Sequence, residues 1–396
     1  MSRSIQQENI YTKEAGYFCF LIFLLLGIGL ISLYSASYDK ALRMGQASDY
    51  FLKRQLIFAV MGLCCALIIT IIPMTLIRSL IPVLLFFSFL LMALTLTTPL
   101  GETRLGATRW LRIGPVSFQP SELIKVSVIL YLANYLSDKE RDLKNFWTVS
   151  VPIAVVFISA GLIILQRDYS TTMIFLFLSL SMLLVAKVKI SYLFYYSSLA
   201  GIPGILFLVT EEYRLKRVLG FIFKDIDPSG INYQVNVSLN AIASGGILGK
   251  GFGQGIYKLG KIPEVQSDFI FASFAEESGL VGVILVMLLF AVIAYLGYRG
   301  AAKHRGGDTF MYLTGFGITH LLIWQVLLNL GVVSGIIPPT GIPLPFFSAG
   351  GSNLLMNLGM CGILLKILLA YPDSAPDDNG MVTSNTDYTH HIIDYE

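Results

Sequence analysis

The stretch SGLVGVILVMLLFAVIAYLGY (residues 278–298) contains 21 residues and no charged side chain. A helix needs about 20 apolar residues to cross the hydrocarbon core of a bilayer, so this stretch predicts a membrane-spanning helix. Five further uncharged runs reach that length, at residues 15–38, 55–77, 79–101, 146–166 and 190–210. The sequence therefore predicts an all-α polytopic membrane protein.

The overall composition indicates the same class of protein. Hydrophobic residues make up 55% of the 396 residues, charged residues make up 13%, and the mean hydropathy is +0.70. A soluble domain has about twice that share of charged residues. A soluble enzyme, a nucleic-acid-binding protein and a secreted disulfide scaffold are therefore excluded. The net charge of +3 is too small to indicate a polyanionic partner.

Three more segments bring the expected number of spans to ten. Residues 121–136 and 169–186 are shorter apolar segments, and residues 309–365 contain no Asp, Glu, Lys or Arg. Prolines within residues 336–345 divide that long run, because proline ends a helix. We therefore expect a span near 311–335, a loop or re-entrant segment, and a span near 351–370.

An even number of spans places both termini on one side of the membrane. The short loops hold twelve Lys and Arg residues on the side of the termini and eight on the other, which favours cytoplasmic termini. We expect a ten-helix domain over residues 1–370, with one long extracytoplasmic loop at about 210–268 between helices 7 and 8. Residues 371–396 contain six acidic residues and no Lys or Arg, and we expect a disordered acidic cytoplasmic tail.

Ionisable side chains at membrane depth are candidate functional groups, because a charge in a bilayer is costly. Glu122 and Lys125 are three residues apart, so on a helix they share a face and can neutralise each other. The alternative is an ion pair that only fixes helix packing. Asp168 and Asp268 each precede an apolar run, and both have the alternative role of a helix N-cap.

Glu276 and Glu277 lie two helical turns after Asp268, about 12 Å along a helix axis. Two adjacent carboxylates at that depth indicate a polar cavity, a partner or a hydrogen-bond network without catalysis. The nearby GKGFGQG (residues 249–255) lacks the ending and the preceding strand of a phosphate loop, so we interpret it as a flexible, close-packed loop. No spacing of Cys and His indicates a metal site.

Six blocks of the sequence form a recognisable series: GATRWL (106–111), FQPSELIK (118–125), SGGILGKG (244–251), PEVQSDFIF (263–271), EESG (276–279) and PPTGIPLPFFSAGGS (338–352). These blocks resemble the SEDS family (shape, elongation, division, sporulation), and they occur in the family's order across nearly the whole chain. The chain has Ser267 where the family usually has Thr, Ser278 where many members have Leu, and Ala349 where the family usually has Tyr. None of these changes removes an ionisable group.

The resemblance implies a peptidoglycan glycosyltransferase of the bacterial inner membrane that polymerises lipid II at the outer face. It further implies that a class B penicillin-binding protein and other divisome membrane proteins are partners. The family's essential carboxylate falls on Asp268, which would act as the catalytic base. Its cavity pair falls on Glu122 and Lys125, and its acidic residue before the sixth helix falls on Asp168. The expected substrate-binding residues are Glu122, Lys125, Asp168, Arg109, Arg54, Glu264 and Lys258.

The implied chemistry needs no cofactor, although the sequence leaves a divalent cation open. A carboxylate takes the proton of the acceptor's 4-hydroxyl, and Arg or Lys side chains stabilise the leaving pyrophosphate. A lipid II flippase and a non-catalytic divisome scaffold are the alternatives from other functional classes. Residues 258–259 and 132–136 resemble the FtsW and sporulation branch more than RodA, which predicts septal synthesis in cell division rather than elongation.

Overall fold

The computed structural model describes residues 2–104, 106–114, 116–198 and 231–371. Residues 190–198 are helical at the edge of the described part of the chain. The helices whose two ends are both described are α1 (Ser2–Arg43), α2 (Tyr50–Ile71), α3 (Met74–Thr97), α4 (Pro120–Leu136), α5 (Phe146–Leu165), α6 (Tyr169–Val185), α7 (Ile231–Gly245), α8 (Ile270–Ala302), α9 (Thr309–Val333) and α10 (Gly351–Leu369).

Seven of these helices, α1 to α3, α5 and α8 to α10, are long and apolar enough to cross a membrane. Helix α6 is apolar but has only 17 residues, and α4 has the same length. The prediction of a polytopic helical membrane protein is confirmed. The count of ten spans stays a prediction, because the predicted seventh span at 190–210 is described only to residue 198. The predicted long loop up to residue 230 and the predicted tail from residue 372 lie outside the described residues.

Both ends of the described chain lie at the same end of the helical bundle, which we call the termini end. Glu14 of α1 forms ion pairs with Arg299 at 2.9 Å and with Lys303 at 2.8 Å, at the close of α8. The His304 side chain also contacts the carbonyl of Ile367 in α10 at 3.1 Å. The opposite end, which we call the distal end, holds the connections after α3, α5, α7 and α9. The side of the membrane that each end faces stays a prediction.

A small antiparallel sheet at the distal end joins α3 to α4. Its strands, in the order β1-β2-β3, are β1 (Gly101–Arg104), β2 (Ala107–Ile113) and β3 (Val116–Phe118). Leu111 of the central strand pairs with Gly101 on one side and Phe118 on the other, and its side chain is buried. This sheet is not predicted from the sequence, because its short strands show no clear alternation of apolar and polar residues.

Helix α8 is divided at Gly279, whose φ of 66° and ψ of −170° lie outside the helical region. The short half before the break carries Glu276 and Glu277, and the longer half crosses the membrane. The break leaves the carbonyls of Glu276 and Glu277 without helical partners, and the backbone N–H groups of Lys250 and Gly251 donate to them, each at 3.0 Å. The loop after α7 is thereby joined to α8 through the backbone.

The connection between α9 and α10 folds back into the protein at the distal end. Helix α9 ends at Val333 and α10 begins at Gly351, so the predicted interruption by prolines is confirmed. Phe346 and Phe347 within this connection are buried and pack against Phe274 and Phe290 of α8. Residues 342–348 of this connection therefore form part of the core, whereas Ser334 and Ile336 near its start are exposed.

Replacing Gly279 with Ala will destabilise the protein, since only glycine adopts this backbone conformation without strain. The strain alone costs about 1–3 kcal/mol, and the added Cβ would overlap the backbone of residues 247–249. Thermal unfolding in detergent will show a clearly lower midpoint for Gly279→Ala. Gly161→Ala in α5 is the matched control, because nothing lies within 4 Å of the added Cβ. Equal midpoints for the two variants would contradict the prediction.

Candidate active site

The predicted pair on α4 is formed and buried. Lys125 Nζ lies 2.9 Å from Glu122 Oε1, and the two side chains are 4% and 5% exposed. The second carboxylate oxygen of Glu122 accepts a hydrogen bond from Asn353 Nδ2 of α10 at 3.0 Å. Asn357, one turn later, donates to Asn353 at 2.8 Å. The carboxylate is thus held by two helices, and its charge is balanced within the bundle.

Asp168 is the N-cap of α6, where its side chain accepts from the N–H of Thr171 at 3.4 Å. It is also 3.6 Å from the guanidinium of Arg109 on β2, and Gln119 donates to its other oxygen at 3.1 Å. The side chain is buried. Asp168 therefore caps a helix and belongs to a charged group at the distal end, so its two predicted roles occur together.

Asp268 lies at the distal end, two residues before the start of α8 at Ile270. The N-cap residue of α8 is Phe269 and not Asp268, so the capping interpretation of Asp268 is not realised. Ser267 Oγ donates to the Asp268 carboxylate at 2.7 Å, and the Asp268 side chain is half-buried. Asn329 of α9 donates through one amide nitrogen to two carbonyls, those of Asp268 and Ile342, each at 2.8 Å.

Residues 348–353 link the parts of the site to one another. The Ser348 hydroxyl donates to the carbonyl of Ser267 at 2.5 Å, and the N–H of Ala349 donates to the carbonyl of Gln266 at 2.8 Å. A few residues later, the Ser352 hydroxyl accepts from the N–H of Gln119 at 3.0 Å, close to Asp168. One short segment thus contacts the Asp268 segment, the Asp168 group and, through Asn353, the α4 pair.

The two carboxylates that end the short half of α8 each have a lysine partner. Glu276 lies 2.7 Å from Lys250 and also accepts from two backbone N–H groups of the following loop. Glu277 is paired with Lys258 and accepts from the Ser35 hydroxyl of α1 at 2.7 Å. Both carboxylates are buried. Of the alternatives that the sequence leaves open, the described contacts favour the hydrogen-bond network.

The glycine-rich residues 249–255 pack closely against this network, as the sequence analysis predicts. A Cβ added at Gly255 would lie 3.0 Å from Glu276 and 3.1 Å from Glu277. Lys258 belongs to the same network. Its described contacts are with Glu277 and Ser35, and not with the charged group around Asp168. Glu264 is instead on the surface, where it pairs with Lys40 at 2.8 Å.

Three arginines around the sheet hydrogen-bond only to neutral oxygens in the described part of the chain. Arg54 donates to the Ser117 hydroxyl at 2.9 Å. Arg112 and Arg167 donate to backbone carbonyls at 3.3 Å and 3.2 Å. The pKa of Glu102 on β1 is lowered, first because Arg104 donates to it and further because Arg112 and Arg54 lie near. The distal end is therefore electropositive.

Sequence reasoning missed the amides that organise the site. Asn329, Asn353 and Asn357 lie in the charge-free run 309–365, where their polarity within apolar helices was a usable signal. The partners Lys250 and Ser35 gave no such signal, because they meet the α8 carboxylates across long separations in sequence. Within the described ranges, no group of three His, Cys, Asp or Glu side chains is placed to hold a metal ion.

These features define a multi-pass membrane protein with a charged site at one end of its helical bundle. The chain belongs to the family that comprises FtsW, RodA and SpoVE. The family model, described as "Cell cycle protein", matches residues 17–371. The resemblance that the sequence blocks indicate is thereby confirmed.

Named relatives and solved structures agree with this assignment. Stage V sporulation protein E of Bacillus subtilis is 38% identical and aligns over 87% of this chain and 94% of its own length. "Probable peptidoglycan glycosyltransferase FtsW" of Borreliella burgdorferi is 36% identical, and the alignment covers 88% of this chain and 95% of that protein. A solved structure described as coordination of polymerization and crosslinking by a peptidoglycan synthase complex is similar, with a TM-score of 0.74 and 29% identity over 89% and 96%. The solved structure of Thermus thermophilus RodA is similar with a TM-score of 0.63 and 25% sequence identity, and the match covers 89% of this chain and 95% of the RodA chain.

Changing Lys125 to Met will destabilise the bundle, because it leaves the Glu122 carboxylate uncompensated. Removal of one partner of a buried ion pair costs about 3–5 kcal/mol. The double variant Glu122→Gln, Lys125→Met will recover thermal stability, since no buried charge remains, but we expect it not to recover activity. Lys366→Met is the control, because Lys366 donates to the carbonyl of Thr70 and pairs with no carboxylate in the described structure. A fully active double variant would show that the pair is only structural.

Proposed function

We propose that this protein is a peptidoglycan glycosyltransferase that polymerises lipid II into glycan strands, with Asp268 as the catalytic base. Family membership and the names of the relatives support the activity. The observation that carries the assignment of the base is the placement of Asp268. Its backbone is fixed by Asn329, while the helix that follows is capped at Phe269. Helix capping therefore does not explain a carboxylate at this position.

The proposed reaction forms one glycosidic bond and breaks one sugar–phosphate bond. The Asp268 carboxylate takes the proton of the acceptor sugar's 4-hydroxyl, and the oxygen attacks the anomeric carbon of the donor. The bond between that carbon and the phosphate oxygen breaks, and its electron pair leaves with undecaprenyl pyrophosphate. Attack opposite the leaving group converts the α-linked donor into a β-linked product.

The arginines at the distal end are the proposed partners of the pyrophosphate. Its negative charge grows as the bond breaks, and fixed cations that stabilise such charge are usually a large part of catalysis. Arg54 and Arg167 have no carboxylate within 4.0 Å in the described part of the chain, so their positive charge is available to a ligand. Arg109 is partly engaged by Asp168 and would hold both the ligand and the sheet.

The other expected site residues take supporting places in this proposal. Glu122, Lys125 and Asp168 would line the substrate cavity, since they lie beside the Arg109 strand and α10. Glu264 is four residues before Asp268 and partly exposed, so it remains a candidate substrate contact. Lys258 would support the site indirectly, because its ion pair with Glu277 anchors the segment that leads to Asp268.

The proposed setting is the bacterial inner membrane with both termini in the cytoplasm, which places the distal end outside. A class B penicillin-binding protein is the proposed partner, supported by the likeness to a peptidoglycan synthase complex. Other divisome membrane proteins are also proposed as partners. The relatives named FtsW and the sporulation relative favour septal synthesis over elongation.

Changing Asp268 to Asn will abolish glycan polymer formation while lipid II still binds. Asn keeps the size of the side chain and caps helices about as well as Asp, but it is not basic. The assay is polymerisation of labelled lipid II by purified protein with its penicillin-binding partner in liposomes, with thermal stability measured in parallel. Asp308→Asn is the matched control, since Asp308 caps α9 with its side chain.

Each result of this assay distinguishes between the candidate functions. The enzymatic function is supported if the unchanged protein and Asp308→Asn form glycan polymer and Asp268→Asn does not. Transfer of lipid II between leaflets without polymer would indicate a flippase, and neither activity would indicate a scaffold. Near-normal polymer from a stable Asp268→Asn protein would disprove the catalytic assignment.

Changing Asn329 to Leu will lower kcat about 10- to 100-fold with little change in KM, because the base is no longer held in place. Leu has the same branched skeleton of four heavy atoms but cannot donate to the carbonyls of Asp268 and Ile342, and a loss of about 1.4 kcal/mol of positioning is tenfold in rate. Gln325→Leu is the control on the same helix, one turn earlier, and its side chain is equally buried. Equal kcat values for the two variants would contradict a positioning role for Asn329.

A further inference from the structure

A polar cavity of about 430 Å³ lies at the termini end, away from the proposed active site. It is bounded by the second turn of α3, the C-terminus of α4 and the N-terminus of α9. Three basic side chains, a hydroxyl and two carboxylates are among the groups that line it. These are Arg78, Lys139, Arg141, Thr309, Asp138 and Asp308. The chemistry proposed for the distal end uses none of them.

Arg78 is held in a fixed orientation without a carboxylate partner. Its Nε donates to Asn134 Oδ1 of α4 at 3.2 Å, and its guanidinium carbon lies 4.7 Å from the ring centre of Phe310 in α9. Within the described ranges, no carboxylate oxygen lies within 4.0 Å of it. The terminal nitrogens of the guanidinium are thus available to an anion that enters the cavity.

The two carboxylates of the cavity have closer partners of their own. Asp138 accepts from Arg141 at 2.8 Å and from the N–H of Glu140 at 3.1 Å, and the Arg141 contact is the main reason that its pKa is lowered. Asp308 caps α9 and accepts from the first backbone N–H groups of that helix. Arg78 and Lys139 therefore form no ion pair with either carboxylate, although Arg78 lies near enough to contribute to the lowered pKa of Asp138.

A second cavity of about 200 Å³ continues from the first and shares Thr309 with it. Lys187 and Arg305 line it, together with the apolar side chains of Leu136 and Leu313. Among the contacts of the described chain, neither of these cations is within 4.0 Å of a carboxylate. The two cavities, which we call the basic cavities, together present four such cations: Arg78, Lys139, Lys187 and Arg305.

We propose that the basic cavities bind the phosphate-bearing head group of an anionic phospholipid. Arg78 lies in the second turn of α3, a helix long and apolar enough to span a membrane, and arginine pairs well with phosphate oxygens. Basic pockets between membrane helices are a recurring way to hold such lipids. The acidic residues 372–396 follow α10 in the sequence, but the place of Arg78 near the end of a membrane-spanning helix, where lipid head groups lie, favours the lipid.

The test measures lipid binding to the full-length protein by native mass spectrometry in a neutral detergent. The probe is phosphatidylglycerol, compared with zwitterionic phosphatidylcholine and with inorganic phosphate. We expect phosphatidylglycerol to bind in preference to both, and Arg78→Gln to bind it about tenfold more weakly. Lys189→Gln is the matched control, because Lys189 lies outside both cavities and its side chain contacts Tyr192.

A second variant keeps the test valid if Arg78→Gln is unstable. The double variant Lys139→Gln, Lys187→Gln removes two cations near the ends of helices. We expect it to weaken the binding of phosphatidylglycerol to a similar degree. Unchanged phosphatidylglycerol binding in either stable variant would overturn the proposal. Equal binding of inorganic phosphate would show a general anion site. Displacement of the lipid by a peptide of residues 372–396 at equal concentration would show that the acidic segment is the occupant.

Discussion

The hydrogen bonds made by residues 348–353 hold the distal end of this protein together. In a bundle surrounded by lipid, backbone groups outside helices must find partners within the protein, because no water is available to them. The connection after α9 meets this requirement by bonding to the segment before α8, and Ser352 in the first turn of α10 accepts from the backbone N–H just before α4. The same bonds fix the relative positions of Asp268, Asp168 and Glu122, so the requirement for satisfied polar groups also assembles the site.

The acidic side chains of the protein fall into two groups that differ in their surroundings. Glu122, Glu276 and Glu277 are buried and each faces a lysine, which is how a membrane protein tolerates charge at depth. Asp268 is half-buried, its backbone carbonyl accepts from Asn329, and its carboxylate accepts from the Ser267 hydroxyl. Both the backbone and the side chain of Asp268 are therefore positioned by the surrounding segments. The paired glutamates stabilise the scaffold around it.

The two ends of the bundle have different chemical characters. The distal end combines the sheet, its arginines and Asp268, which suits a reaction that releases pyrophosphate. The termini end combines Glu14, Arg299 and Lys303 in an ion-pair network, with the basic cavities on its other side. Under the proposed function the distal end acts on a lipid-linked substrate, and a phospholipid held in the basic cavities would help to keep the spans at a constant depth.

The sequence by itself determined the class of fold, the family and the residue types of the site. Uncharged runs of about 20 residues specify spans through the thickness of the bilayer alone, and the prolines before α10 specify a break. Only the tertiary structure decided the partners: Asn329 with Asp268, Asn353 with Glu122, and Lys250 with Glu276. It also decided that Phe269 and not Asp268 caps α8, and that residues 101–118 form a sheet. Contacts between distant parts of the chain depend on packing, and packing leaves no periodic pattern in a single sequence.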